Sequence, residues 1–210
     1  KKEDYATGAG GLQWEPVGTP QTIEDYLWLM ITKSDNVATN ALTRIVGGRE
    51  YVNQVAHSLG ARDTLLYQKV SSERAAVPSL DNRSTPKDMA TLLSKIYENK
   101  AASKQSCHEM ISLMNQNNLE FWMEAGVPTD VKVANKGGWI DRTYNDVGIV
   151  QYDKRPYVLA VFSKYGPDSL QEGGNMIGLV SKGVWQAESG KILEKNKVKK
   201  RAKLNNKVKK

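Results

Sequence analysis

Apolar positions in the first third of the chain recur with helical spacing. Ile23, Tyr26, Leu27, Met30 and Ile31 fall at i, i+3, i+4, i+7 and i+8, one face of a helix. Thr22 precedes them with Asp25 three residues on, the spacing of a capping box. The stripe breaks at Ser34-Asp35-Asn36 and resumes with Val37, Ala38, Ala41, Leu42 and Ile45, until Gly47-Gly48 ends it. Val52, Val55, Ala56 and Leu59 predict a third helix, stopped by Gly60. Thr85-Pro86 opens a fourth, with proline at the first position, Asp88 in the first turn and Met89, Leu92, Leu93 and Ile96 inward. Cys107, Met110, Ile111 and Met114 predict a fifth over 104–114.

From Val127 onward the pattern shortens to β-type runs at 131–134, 146–152 and 157–162. Asp153-Lys-Arg-Pro156 joins the last two with hairpin spacing, and Gly173-Gly174 precedes a closing helix through Ile177, Val180, Val184 and Trp185. Segments 1–21, with GAGG at 8–11, and 61–83 have no period and read as loops. Helices, then an antiparallel sheet, then a helix make an α+β domain.

Charge changes the picture at the C-terminus. The chain is formally +7, but residues 191–210 hold ten Lys/Arg and one acid, leaving 20 basic and 22 acidic residues elsewhere. This divides the chain into a nearly neutral domain, 1–190, and a basic tail, 191–210, whose composition predicts disorder. Such a tail suits an anionic surface, whether membrane, cell-wall polymer or nucleic acid. It has no aromatic residue to stack on bases, which argues against specific nucleic-acid reading. No run of 18 apolar residues occurs. With one cysteine, Cys107, and two histidines, His57 and His108, the chain offers neither an intrachain disulfide nor a multi-His or Cys-rich metal site, and no cofactor motif.

Two stretches carry the chemistry. SDN at 34–36 sits at a helix junction, where such residues favour caps and turns. KGGW at 136–139 places a cation at the end of a β-run, beside two glycines that allow a ligand to approach the backbone. Together with STPKDMATLL at 84–93, NDVGIV at 145–150 and YVLAVFS at 157–163, in this order, the chain resembles the serine β-lactamase and penicillin-binding protein family, most like its class A branch. The resemblance covers about residues 8–188, and SDN and KGG stand where the family has S-D-N and K-T-G.

The resemblance implies a β-lactamase/transpeptidase-like fold and hydrolysis of β-lactams through an acyl-serine, a reaction of antibiotic resistance, in a periplasmic or extracellular setting. A D-Ala-D-Ala-type peptidase and a non-catalytic binding module are the alternatives. By resemblance Ser34 relays a proton to the leaving nitrogen and Asn36 holds the substrate's side-chain amide. Asp35 fixes the turn, and Lys136 attracts the substrate carboxylate beside Gly137 and Gly138. The Trp139 N–H is an oxyanion donor.

The pattern also breaks. No S-x-x-K precedes Ser34; the one such string, Ser84-Thr-Pro-Lys87, follows it and coincides with a helix start, where its reading is a cap. Gly137 replaces the Thr of K-T-G. The 61–83 loop lacks the family's Glu-x-x-Leu-Asn, leaving Glu73 as the candidate base for deacylation. The family's first helix and first two strands have no counterpart here. The expectation is therefore a C-terminal part of the family domain, completed by an upstream or separately encoded segment, with 157–162 otherwise an open edge strand.

Overall fold

The structure is a computed structural model that describes residues 1–71, 81–117, 122–153 and 155–208, with side chains described as far as residue 190. Five helices come first: α1 (Ile23–Thr32), α2 (Asn36–Ile45), α3 (Gly48–Ser58), α4 (Pro86–Tyr97) and α5 (Lys104–Met114). A meander follows, β1 (Lys132–Ile140), β2 (Thr143–Gln151) and β3 (Tyr157–Phe162), antiparallel in the order β1-β2-β3. Helix α6 (Leu170–Val208) closes the chain.

The helix starts form for the reasons the sequence suggests. The Thr22 hydroxyl accepts from Asp25 N–H at 3.0 Å while Asp25 accepts from Thr22 N–H at 2.9 Å, a closed capping box on α1. At α4 the cap is Thr85, which accepts from Asp88 N–H at 3.1 Å, so the capping hydroxyl is one residue later than the Ser84 of the S-x-x-K string. Ser84 instead meets the Thr64 hydroxyl at 2.8 Å. Gly47, at φ 111°, takes the left-handed conformation that lets the chain turn between α2 and α3.

Three elements depart from expectation. Strand β1 runs through Gly137-Gly138 to Ile140, so Lys136 lies mid-strand and not at its end. The strand survives two glycines because β2 pairs with it along its whole length, Lys132 with Gln151 through to Ile140 with Thr143. The glycines at 173 and 174 lie inside the first turns of α6. A Cβ at Gly173 would stand 2.5 Å from the Tyr144 ring and one at Gly174 2.4 Å from Trp122, so close helix–ring packing, not helix termination, selects them. Finally, the backbone of α6 is helical across 191–208, where composition predicts a disordered tail. Lysine, seven of the 18 residues there, is a good helix former.

The sheet is covered on both faces. Ala134 and Ile149 pack with Leu93 of α4 and Met114 of α5, and half-buried Ile31 of α1 joins them. Val133 and Val150 meet Met123 and, from α6, Trp185 on the other face. Each such side chain, once buried, contributes about 1.5–3 kcal/mol. Cys107 is fully buried on α5, its thiol directed at the Ala102 carbonyl. Among the described residues β3 pairs with β2 alone.

Candidate active site

The SDN turn is built by three successive constraints. Helix α1 ends as Lys33 N–H donates to Leu29 O at 3.0 Å. Ser34 then adopts φ 53°, which reverses the chain, and Asp35 N–H also donates to Leu29 O. Asp35 caps α2: its Oδ1 accepts from Ala38 N–H at 2.9 Å.

What the turn packs against was not anticipated. The glycine-rich segment folds over it. Asp35 Oδ2 accepts from Leu12 N–H at 3.0 Å, so both oxygens of this fully buried carboxylate are engaged. Asn36 N–H donates to Ala9 O at 3.2 Å and its side-chain amide to Thr7 O at 2.8 Å. Asn36 is consequently buried, 7% exposed, with its amide already committed to the protein. Gly10 has φ 94°, and a Cβ there would lie 2.2 Å from the Asp35 carboxyl. The clustered glycines were the one available signal: they mark a close backbone approach as well as a turn.

Lys136 stands on the opposite wall. In a strand, side chains alternate, so Lys136 shares a face with Ala134. That face belongs to the cluster of Leu93, Met114, Ala134 and Ile149, which Ile31 of α1, three residues before Ser34, joins from the helical side. The fold thus brings the lysine strand and the SDN turn to the same side of the sheet. Lys136 Nζ donates to the carbonyl of Gly137, its own strand neighbour. A Cβ at Gly138 would meet nothing within 4 Å, so the strand is open there.

Register fixes where the Trp139 backbone points. Trp139 pairs with Tyr144. Tyr144 directs its N–H and C=O toward Ser163 on the β3 side, at 3.1 Å to the Ser163 hydroxyl and 3.0 Å from its N–H. In an antiparallel ladder both polar groups of a residue point the same way, so 139 and 144 are a non-hydrogen-bonded pair. The Trp139 N–H therefore projects from the outer edge of β1, and its indole is 56% exposed. Gly137, opposite Asp146, has the same parity.

The segment after α3 is held by side chains in place of secondary structure. Asn40 of α2 grips Val70 in both directions, its amide donating to Val70 O at 3.0 Å and its oxygen accepting from Val70 N–H at 2.9 Å. Leu65 and Arg83 exchange backbone bonds of 2.8 and 3.0 Å. Glu73 lies outside the described residues. A cavity of about 530 Å³ adjoins this segment, lined by Asp4, Asn40, Arg44, Arg49 and Lys69, and includes none of Ser34, Asn36 and Lys136. Its cations are occupied: Arg44 pairs with Asp4 at 2.8 Å, Arg49 with Glu50 at 2.8 Å, and Lys69 donates to Glu3 O. Arg44 holds the Asp4 carboxyl below its usual range.

A serine turn, a strand cation and an outward backbone donor on one sheet are parts an acyl-transfer site uses. The family model described as the beta-lactamase enzyme family matches residues 1–187. The chain belongs to that family. Similar relatives include beta-lactamase CARB-3 of Pseudomonas aeruginosa, 30% identical over 59% of this chain and 40% of that protein, and a beta-lactamase of Streptomyces lavendulae, 28% identical over 70% of this chain and 49% of that protein. The chain thus spans half or less of the length of these relatives.

Among solved structures, the beta-lactamase from Sphaerobacter thermophilus DSM 20745 superposes with TM-score 0.80 at 34% identity, over 89% of this chain and 71% of that one. A mutant of PBP-A, captured as an acyl-enzyme with penicillin G, gives TM-score 0.80 at 27% identity, over 90% of this chain and 70% of that one. The β-lactamase/transpeptidase fold expected from the motifs is therefore the fold observed, in shortened form. Among the described residues no helix is long and apolar enough to cross a membrane.

Proposed function

We propose that this chain supplies two walls of a serine β-lactamase-type acyl hydrolase. The observation that carries the reading is the placement of Lys136 on the sheet face toward the SDN junction, with the Trp139 N–H projecting from the strand edge. Lys136 attracts the carboxylate of a β-lactam, and Gly137 and Gly138 let the substrate lie along the backbone. A serine from outside these 210 residues attacks the lactam carbonyl. The oxyanion forms against Trp139 N–H, the C–N bond breaks, and Ser34 passes a proton to the departing nitrogen. Water then cleaves the ester, with Glu73 the candidate base. Such a reaction belongs outside the cytoplasm, where the basic 191–210 segment meets anionic surfaces. Salt-sensitive co-sedimentation with anionic vesicles, lost on deleting 191–210, tests that placement.

Gly137 favours a second reading. Without the hydroxyl of the family's K-T-G threonine, the carboxylate is held less firmly, and slow deacylation would make the protein a D-Ala-D-Ala-type peptidase that penicillin traps. Incubating the native protein that carries this chain with penicillin G and measuring intact mass separates these readings. A transient adduct with turnover supports the lactamase, and a lasting adduct supports the peptidase. No adduct at millimolar penicillin overturns both and leaves a non-catalytic binding module. Lys136→Ala should slow acylation about 100-fold, the scale of one lost electrostatic contact in such a site.

A further inference from the structure

A buried carboxylate lies directly behind the lysine strand. Asp146 is fully buried, and so is Asn135, the residue before Lys136. Asn135 Nδ2 donates to both oxygens of Asp146, at 3.1 and 3.2 Å. Asp146 Oδ2 also accepts from Met123 N–H at 3.0 Å. The Met123 carbonyl in turn accepts from the hydroxyl of Ser181 on α6 at 2.7 Å. On the other side, the Asn117 amide reaches Asn135 Oδ1 at 3.5 Å.

Asp146 is the ladder partner of Gly137, the residue after Lys136. That pair exchanges no backbone hydrogen bond, so the aspartate holds β1 through its side chain, at Asn135 beside the lysine. Gly148 makes room for this: a Cβ there would lie 2.9 Å from Asn135 Cβ and 3.0 Å from Met123 Sδ. A buried carboxylate is costly unless hydrogen bonds compensate it, and this one joins β1 to the 122–126 turn. The chain keeps it at the one stretch where two glycines leave a strand short of packing.

We infer that Asp146 is a positioning residue for Lys136. By tying Asn135 and the 122–126 turn together, it fixes the height and direction from which the lysine leaves β1. The inference rests on the reading of Lys136 as the group that meets the substrate carboxylate. Misplacing such a group by about 1 Å costs up to about 100-fold in rate.

Asp146→Asn tests it in the native protein. Because Asn135 Nδ2 donates to both oxygens, an asparagine amide in either orientation sets its own NH2 donor against that nitrogen. Hydrogen exchange in 132–140 should quicken about tenfold while α2 is unchanged. Acylation by penicillin G, per active site, should fall about tenfold. With the methyl ester of penicillin G, which lacks the carboxylate, the variant and the wild type should match. Adding Lys136→Ala should make the Asp146→Asn effect vanish, as coupled residues do.

Unchanged exchange in 132–140, or equal quickening of every segment, would overturn the inference. So would an equal loss with the ester. If the wild type takes no penicillin, the acyl-transfer reading falls while exchange still decides whether Asp146 sets the strand. Should Asp146→Asn not fold, Asn135→Ser removes the same link from the other side and is read in the same way.

Discussion

Asp35 and Asp146 are both fully buried aspartates behind candidate functional residues, yet they are held differently. Asp35 has one local partner, Ala38 N–H, and one distant partner, Leu12 N–H. It clamps a helix start to a loop that has little other structure. Asp146 has distant partners in Asn135 and Met123, and clamps β1, a strand that β2 already pairs along its whole length. The first wall should thus be brittle at one contact. The second should loosen gradually, because backbone pairing persists when the side chain goes.

The largest test of that contrast is Gly10→Ala. The added methyl would collide with Asp35, and φ 94° is strained for alanine. We expect a loss of about 3 kcal/mol in urea denaturation. Gly11→Ala, where a Cβ meets nothing within 4 Å, should cost under about 1 kcal/mol. Equal losses would show that the loop merely dislikes bulk.

Next comes Asp35→Ala, which strips two buried N–H groups of their acceptor. A loss of about 2–3 kcal/mol is expected, with faster hydrogen exchange at Leu12 and Ala38. A smaller effect than that of Ser181→Ala would reverse the comparison. Ser181→Ala itself removes one of two donors to the Met123 carbonyl, which keeps Gly126 N–H at 3.1 Å, and should cost about 1 kcal/mol by thermal denaturation.

Acid offers a gentler probe of the helical wall. Asp4 bonds Arg44 of α2, and that bond is the main reason its carboxyl titrates below the usual 3.8. A group with a lowered folded value stabilises above its unfolded value, and the gain disappears as pH falls through the folded one. Between pH 5 and 3 the wild type should therefore lose more stability than Asp4→Asn, measured by urea midpoints. Parallel curves would remove Asp4 from the account.

The smallest effect lies on the sheet side. The Tyr157 hydroxyl is buried without a hydrogen-bond partner among the described residues, and its ionisation is pushed up to about 12, mainly by burial. Tyr157→Phe should be neutral or stabilising by under about 1 kcal/mol in the same assay. A clear loss would reveal a partner for that hydroxyl.

The contrast also explains what could be read from sequence. The cap of α1 acts over three residues and local spacing displays it, whereas at α4 the cap is Thr85 and the Ser84 of the S-x-x-K string bonds Thr64 instead. Asp146 sits in NDVGIV, where it looks like one more strand residue, because its partners are 11 and 23 positions away. The latch of residues 7–12 on SDN spans similar distances, and GAGG looked like an ordinary loop. The extent of β1 was hidden by a turn without its usual residues. Asp141 and Arg142 both take positive φ, 41° and 57°, where Asn-Gly would have announced the hairpin. The Ser34–Lys136 relationship was legible only through motif order; in the structure the two walls are linked through the cluster of Leu93, Met114, Ala134 and Ile149, which Ile31 joins.

Cys107 lends the molecule a clock. Its thiol is sealed at 0% exposure beneath α5, whose last residue, Met114, belongs to the cluster around Ala134. A thiol reagent can react only when that helix lifts away. Where reaction outpaces reclosing, the labelling rate counts how often the sheet's helical cover opens; where reclosing is faster, it reports the fraction of time the cover is open.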